Sequence, residues 1–169
     1  MGLPALEPQT RFWVGVASWD HVQRGLAGHF CQVCHGKAQP LRRMAAGDWL
    51  IHYSPKKQFE GKEPYQHFTA IGRVRDEAVY QVEMFPGFFP FRRNIDFLLD
   101  ARHVAIQPLL DSLDFITDRR HWGSAFRFGH FAIQRADFER IATRMLAAIP
   151  PEPLSSPRQK GLFDEMERP

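Results

Sequence analysis

The sequence predicts one α+β domain built around a curved or closed β-sheet, and three observations carry that expectation. Five to six segments between residues 11 and 133 are rich in β-branched and aromatic residues and bounded by turn residues, the composition of strands. Helical segments are inserted towards the two ends of this strand-rich stretch, which suits an α+β layout. No strand–helix–strand pattern repeats and no glycine-rich phosphate loop is present, which argues against a dinucleotide-binding sheet. With 169 residues, 44% of them hydrophobic and 13% aromatic, the chain can bury a core without staples.

The first strand is expected over Arg11 to Ala17 (RFWVGVA). Ser18 then stands where an N-cap hydroxyl accepts an orphan amide. Asp20 favours the positive end of a helix running from Trp19 to about Leu26, with Gly25 and Gly28 as its stop. A loop from His29 to Gln39 carries both cysteines, and Leu41 to Ala46 suits one helical turn. Trp49 to Tyr53 and Tyr65 to Val74 read as strands, joined by a polar connection containing Pro55, Gly61 and Pro64. Val79 to Met84 and Phe91 to Leu98 read as two more, around a Pro/Gly/Phe-rich turn. His103 to Gln107 is short and extended, Pro108 starts a turn through Leu113, and Phe128 to Ile133 is the last strand. A final helix is expected from about Ala136 to Ala148, because Phe138, Ile141, Met145 and Ile149 share one face. The domain is thus expected over 1–149, with a Pro/Ser-rich, flexible tail over 150–169.

A formal charge of +3 is compatible with a polyanionic partner without demonstrating one. No apolar run approaches the ~20 residues of a membrane span. The first residues, Met1 to Gln9, lack the basic start and apolar stretch of a signal peptide, so a cytoplasmic, reducing setting is expected.

Cys31-Gln-Val-Cys34-His35 matches the C-x-x-C-H pattern of haem attachment. The absent export signal and the strand-rich chain argue against haem. Zinc needs two further ligands, and neither a second cysteine pair nor an H-x-x-x-H pair supplies them. A reactive dithiol needs Cys31 at a helix start, whereas Pro40 points to an irregular loop. Neither cofactor nor metal is expected. No G-x-S-x-G, H-E-x-x-H or S-x-x-K is present, so no active site is legible.

Seven stretches together resemble the EVE domain family of the PUA-like superfamily. They are FWVGVAS (Phe12 to Ser18), FCQVCHGK (Phe30 to Lys37), GDWLIHYSPK (Gly47 to Lys56), FTAIGRV (Phe68 to Val74), FRRNIDF (Phe91 to Phe97), HWGSAFRFGHF (His121 to Phe131) and IQRADF (Ile133 to Phe138). The resemblance implies a PUA-like β-barrel with flanking helices, related in shape to YTH domains. It also implies a cleft that accepts one flipped, modified base of DNA or RNA, with the C-x-x-C-H loop as part of the pocket wall. Removing a base from its stack costs a few kcal/mol. Aromatic stacking returns about 1–3 kcal/mol per base.

On that resemblance Phe30 is the first stacking candidate, with Phe89, Phe91 and Trp122 as further cage walls. Cys31, Gln32 and Val33 offer polar atoms to the base edge, joined by Tyr53, Ser54 and Gln66. Lys56, Arg92 and Arg93 are candidate phosphate contacts. Each has a plainer alternative: a barrel phenylalanine as core, Gln66 as an interior polar residue, the arginines as solvated surface. An enzyme acting on a nucleotide or small metabolite in the same cleft is the alternative function. In the tail, Gln159, Leu162 and Phe163 fit a Q-x-x-L-F pattern resembling peptides that dock onto the bacterial sliding clamp.

Overall fold

The computed structural model describes residues 9–146. Ile149, the 150–169 tail and its Gln159, Leu162 and Phe163 lie outside the described residues.

Strand β1 (Phe12–Val16) leads into helix α1 (Trp19–Gly28). After it come the two-residue β2 (Phe30–Cys31), a 3-10 turn (Cys34–Gly36) and helix α2 (Ala38–Arg43). The long strands β3 (Trp49–Lys56) and β4 (Pro64–Val74) follow, then β5 (Tyr80–Gln81), β6 (Phe91–Phe97) and β7 (Val104–Ala105). A short 3-10 turn (Gln107–Leu109), a second 3-10 segment (Arg119–Phe128), β8 (His130–Ile133) and α3 (Arg135–Met145) complete the order.

Six strands run β2-β6-β4-β3-β1-β8, with β5 on β6 and β7 on β4. This curled half-barrel with flanking helices is consistent with a PUA-like fold. The β1–β3 pair is parallel, with Phe12 opposite Trp49 and Val14 opposite Ile51, so the chain must cross over between them. The crossover contains α1, β2 and α2. Alternation along these strands divides two cores. Phe12, Val14, Trp49, Ile51 and Tyr53 face the α3 residues Phe138, Ile141 and Met145. Trp13 and Leu50 point the other way, to Val22 of α1 and Leu41 of α2. Curvature comes from register shifts between His52 and Tyr53 and between Ser54 and Lys56, and Gln66 opposite them has φ +56°.

Several local expectations are corrected. Helix α1 passes through Gly25 and ends at Gly28, followed by the C-cap His29, whose left-handed backbone (φ 59°) lets its amide bond Gly25 O. The glycines serve packing instead: a Cβ on Gly25 would sit 2.4 Å from the Phe30 carbonyl oxygen, and one on Gly28 would sit 2.5 Å from the Phe30 ring. Ser18 holds the N-cap position, but its hydroxyl donates to Asp20 Oδ1 at 2.6 Å and itself caps no amide. The Val79 to Met84 strand shrinks to Tyr80–Gln81, because beyond it the chain turns back on itself. Phe128 ends a 3-10 segment instead of starting β8. Helix α2 starts at Ala38, three residues before the expected turn. None of the described helices is long and apolar enough to cross a membrane.

Candidate nucleic-acid interface

A cleft of about 760 Å³ opens beside the start of α1. Its walls come from four places in the chain: α1 with residues 16–18 before it, residues 32–36, the end of β3 with the residues after it (55–60), and the turn 84–88 before β6. Gly129, just before β8, closes one side.

The 57–63 segment is held against α1 by backbone and carboxylate. The Asp20 amide donates to Lys57 O at 3.0 Å, and the Phe59 amide donates to Asp20 Oδ1 at 3.1 Å. The same oxygen accepts the His21 amide at 3.0 Å. Phe59 then lies stacked on the His21 ring with centroids 4.9 Å apart, and Lys56 Nζ donates to the Phe59 and Gly61 carbonyls. In the turn 84–88, Phe85 and Phe88 stack at 4.9 Å across an isolated β-bridge.

Partial burial works to raise the Asp20 pKa, but the Ser18 hydroxyl, the His21 ring and the two amides outweigh it and hold the carboxyl below its ordinary value. His21 is depressed, first by burial and then by Arg24 and Lys56, against the opposing pull of Asp20. Burial raises the Cys34 thiol, despite Lys37 and Arg43 nearby. At neutral pH the cleft therefore presents an ionised carboxylate, a neutral imidazole and a protonated thiol.

Among the described residues, five large hydrophobic side chains are exposed, and four of them are phenylalanines at this end of the molecule. Phe59 and Phe85 line the cleft, Phe89 shares the turn of Phe85, and Phe128 adjoins Gly129. Phe128 O accepts the Cys34 thiol at 3.8 Å. Arg24 and Lys56 supply positive charge to the rim. Arg92, close enough to Arg24 to feel its charge, extends it.

Of the residues singled out from the sequence, Gln32, Val33 and Lys56 line this cleft. Gln32 is engaged: its Oε1 accepts Arg92 Nε at 3.0 Å and its Nε2 lies 3.7 Å from Met84 Sδ. Phe30 lies beneath the Arg92 guanidinium, 3.9 Å from ring centroid to Cζ, and is not among the lining residues. Cys31 is buried in the α1/α2 core, where burial raises its thiol pKa. The Cys34 thiol reaches the cleft wall, so the two cysteines face different environments.

Tyr53 and Ser54 are interior. Tyr53 stacks on Phe126 at 3.9 Å, and Ser54 Oγ lies 2.8 Å from Thr69 Oγ1. Gln66 sits at the β-bulge, taking Gln107 Nε2 on its Oε1 at 3.5 Å. Trp122 packs edge-on to Phe126 at 6.3 Å, and Phe91 lies under Arg42 at 5.6 Å. Arg93 is buried and donates to Leu41 O and Met44 O, tying α2 to β6. These residues do not converge with Gln32 and Lys56 on the cleft. Phe59, Phe85, Phe88, His21 and Arg24 do, and sequence reasoning missed them. Phe59 lay in a stretch read as a polar connection, and only its pinning to Asp20 brings it to the site.

Among the described residues, no three His, Cys, Asp or Glu side chains gather into a metal-binding group.

The EVE domain model matches residues 8–144. A UPF0310 protein of Mycolicibacterium vanbaalenii is 51% identical over 134 residues, covering 79% of this chain and 92% of that protein. A UPF0310 protein of Bacillus licheniformis is 49% identical over 129 residues, covering 76% and 87%. A solved structure of a hypothetical protein from Leishmania major aligns with a TM-score of 0.47 at 12% identity, covering 79% of this chain and 92% of that one. With a matching domain model across most of its length and bacterial relatives at half identity, the chain belongs to the EVE domain family, in the UPF0310 group.

Proposed function

We propose that this chain is a nucleic-acid-binding module that holds one modified base in the cleft beside α1. The observation that carries the reading is the joint placement of exposed phenylalanines and unpaired cations around one concavity. Phe59 and Phe85 both line it, and among the described residues Arg24 and Lys56, which line it too, and Arg92 near Arg24 form no ion pair. A base needs an aromatic face to replace its lost stack, polar groups for its edge and cations for its phosphates. Phe59 offers the face, Asp20 and the backbone of the 33–36 turn offer polar atoms to the base edge, and Arg24 and Lys56 offer charge to the phosphates.

The states of Asp20, His21 and Cys34 favour binding over turnover. A general acid would want a carboxyl pKa raised towards neutrality, and a nucleophilic cysteine would want a depressed one. Both are shifted the other way. The module is therefore read as a binder of modified bases with no reaction of its own.

The test is a binding screen against modified and unmodified nucleosides and short strands of DNA and RNA, repeated with Phe59→Ala. The reading expects at least one modified base to bind better than its parent, and Phe59→Ala to weaken that complex by about 1–3 kcal/mol. Equal binding of every modified and parent pair would defeat it.

A further inference from the structure

The two rims of the cleft differ in chemistry, and the difference bears on which form of nucleic acid the site takes. One rim, on α1 and the end of β3, carries Arg24 and Lys56. The other is the turn between β5 and β6, which is apolar at its tip: Met84, Phe85, Pro86, Gly87, Phe88, Phe89. Phe85 is 56% exposed and Phe89 51%.

That turn is cross-braced. The Val82 amide donates to Pro90 O at 3.1 Å, Met84 to Phe88 O at 3.0 Å and Phe88 to Phe85 O at 2.9 Å. Gln81 Nε2 donates to Phe89 O at 2.9 Å. Gly87 takes φ +86° at the apex, and a Cβ there would meet nothing within 4 Å. The two phenylalanines are thus held outward on a braced support instead of folding back onto the core.

We propose that this turn is a wedge that enters a nucleic-acid duplex and fills the gap left by the base drawn into the cleft. The proposal rests on the base-holding reading above. It goes further by naming the duplex as the substrate form and Phe85 and Phe89 as the inserting residues. An extruded base leaves its neighbours with an unstacked face, and apolar side chains inserted at such a step recover part of that loss. A single strand has no such gap. The cationic rim at Arg24 and Lys56 complements the phosphates of the strand that is pulled outwards, which orients the turn towards the stack.

The test uses the full chain and a short duplex with one abasic site, in DNA and in RNA versions, with 2-aminopurine beside the gap. The comparisons are the intact duplex and the abasic single strand. An abasic site supplies the gap without any base to read, so this experiment can fail while base recognition survives, and the reverse. The wild-type chain is expected to prefer the abasic duplex over the intact one by roughly tenfold, consistent with stacking at one step, and to change the 2-aminopurine emission. Phe85→Ala with Phe89→Ala is expected to abolish both the preference and the emission change. Both residues are surface-exposed, and an unchanged melting temperature checks that the variant is folded. Equal affinity for abasic and intact duplexes in both chemistries would overturn the wedge. So would a preference that survives the double substitution, which would assign the turn to a protein partner, or an equal loss on duplex and single strand.

Discussion

The Phe59 amide donates to Asp20 Oδ1 at 3.1 Å, and through that bond the first turn of α1 sets the position of an aromatic wall 39 residues away in sequence. Asp20 Oδ1 also accepts the Ser18 hydroxyl and the His21 amide, so one oxygen organises the helix start and the cleft together. Asp20→Ala is expected to free the 57–63 segment and unstack Phe59 from His21. Binding of any preferred oligonucleotide should fall at least as far as with Phe59→Ala. Stability should fall by only about 1 kcal/mol, the scale of a missing hydrogen bond at a helix start. Calorimetric titration beside thermal unfolding separates the two effects, and normal binding by a folded Asp20→Ala chain would show that the wall does not need its anchor.

Gly25→Ala inverts an ordinary rule. In a helix interior, alanine is favoured over glycine by about 1 kcal/mol. Here the new Cβ would lie 2.4 Å from the Phe30 carbonyl oxygen, a backbone atom held in the β2–β6 ladder. A net destabilisation of about 1–3 kcal/mol is expected, as for overpacked cores. Denaturant midpoints measure it, and a stabilised Gly25→Ala chain would contradict the packing described.

Neighbouring arginines should separate by phenotype. Arg92 lies over Phe30 with its charge unpaired among the described residues, whereas Arg93 is buried and bonds two carbonyls of α2 and its C-cap. Arg92→Ala combined with Arg24→Ala and Lys56→Ala should flatten the salt dependence of binding, by a slope of about 0.7–0.9 for each phosphate no longer neutralised. Arg93→Ala should instead cost stability, about 1–3 kcal/mol, with a salt slope like that of the wild-type chain. Titrations at several salt concentrations, read beside melting curves, distinguish the two.

Acid should unfold the protein through two buried histidines. His52 donates Nδ1–H to Gly15 O, and burial lowers its pKa to about 4. His130 is lowered to about 3 by burial, then by Arg43 and His52. Arg43 Nη2 can only donate to His130 Nδ1, so the proton sits on Nε2, which has no partner among the described residues. Both pKa values are depressed below the ordinary 6.5. Between that value and the folded ones, the unfolded chain therefore binds more protons. The stability is present in full above about pH 6.5 and declines as pH falls towards 4, by up to about 1.4 kcal/mol per pH unit for each group. Urea melts at pH 7.5 and pH 5 measure the decline, and His52→Gln should make it shallower. A pH-independent midpoint across that range would contradict this assignment.

Much of the architecture was legible in the residues alone. The aromatic and β-branched runs FWVGV and WLIHY mark β1 and β3, each of which buries both faces against separate cores, and the spacing of Phe138, Ile141 and Met145 marks α3 by its single buried stripe. The seven matching stretches, taken together in their order and spacing, identified the family, and the domain model matches residues 8–144. What the local pattern determined was therefore each element's type and the family's frame.

The tertiary structure alone decided which residues meet. Nothing local distinguishes Arg92 from Arg93, yet strand alternation sends one to the surface and the other beneath α2. Tyr53 and Ser54 end a short strand as read from sequence, but β3 continues to Lys56 and carries both inside. Phe59 looks like a stray aromatic in a polar connection until Asp20, from another element, accepts its amide. A site on loops is assembled by hydrogen bonds between segments distant in sequence. Hydrophobic periodicity, which reports one element's burial at a time, carries no record of those partners.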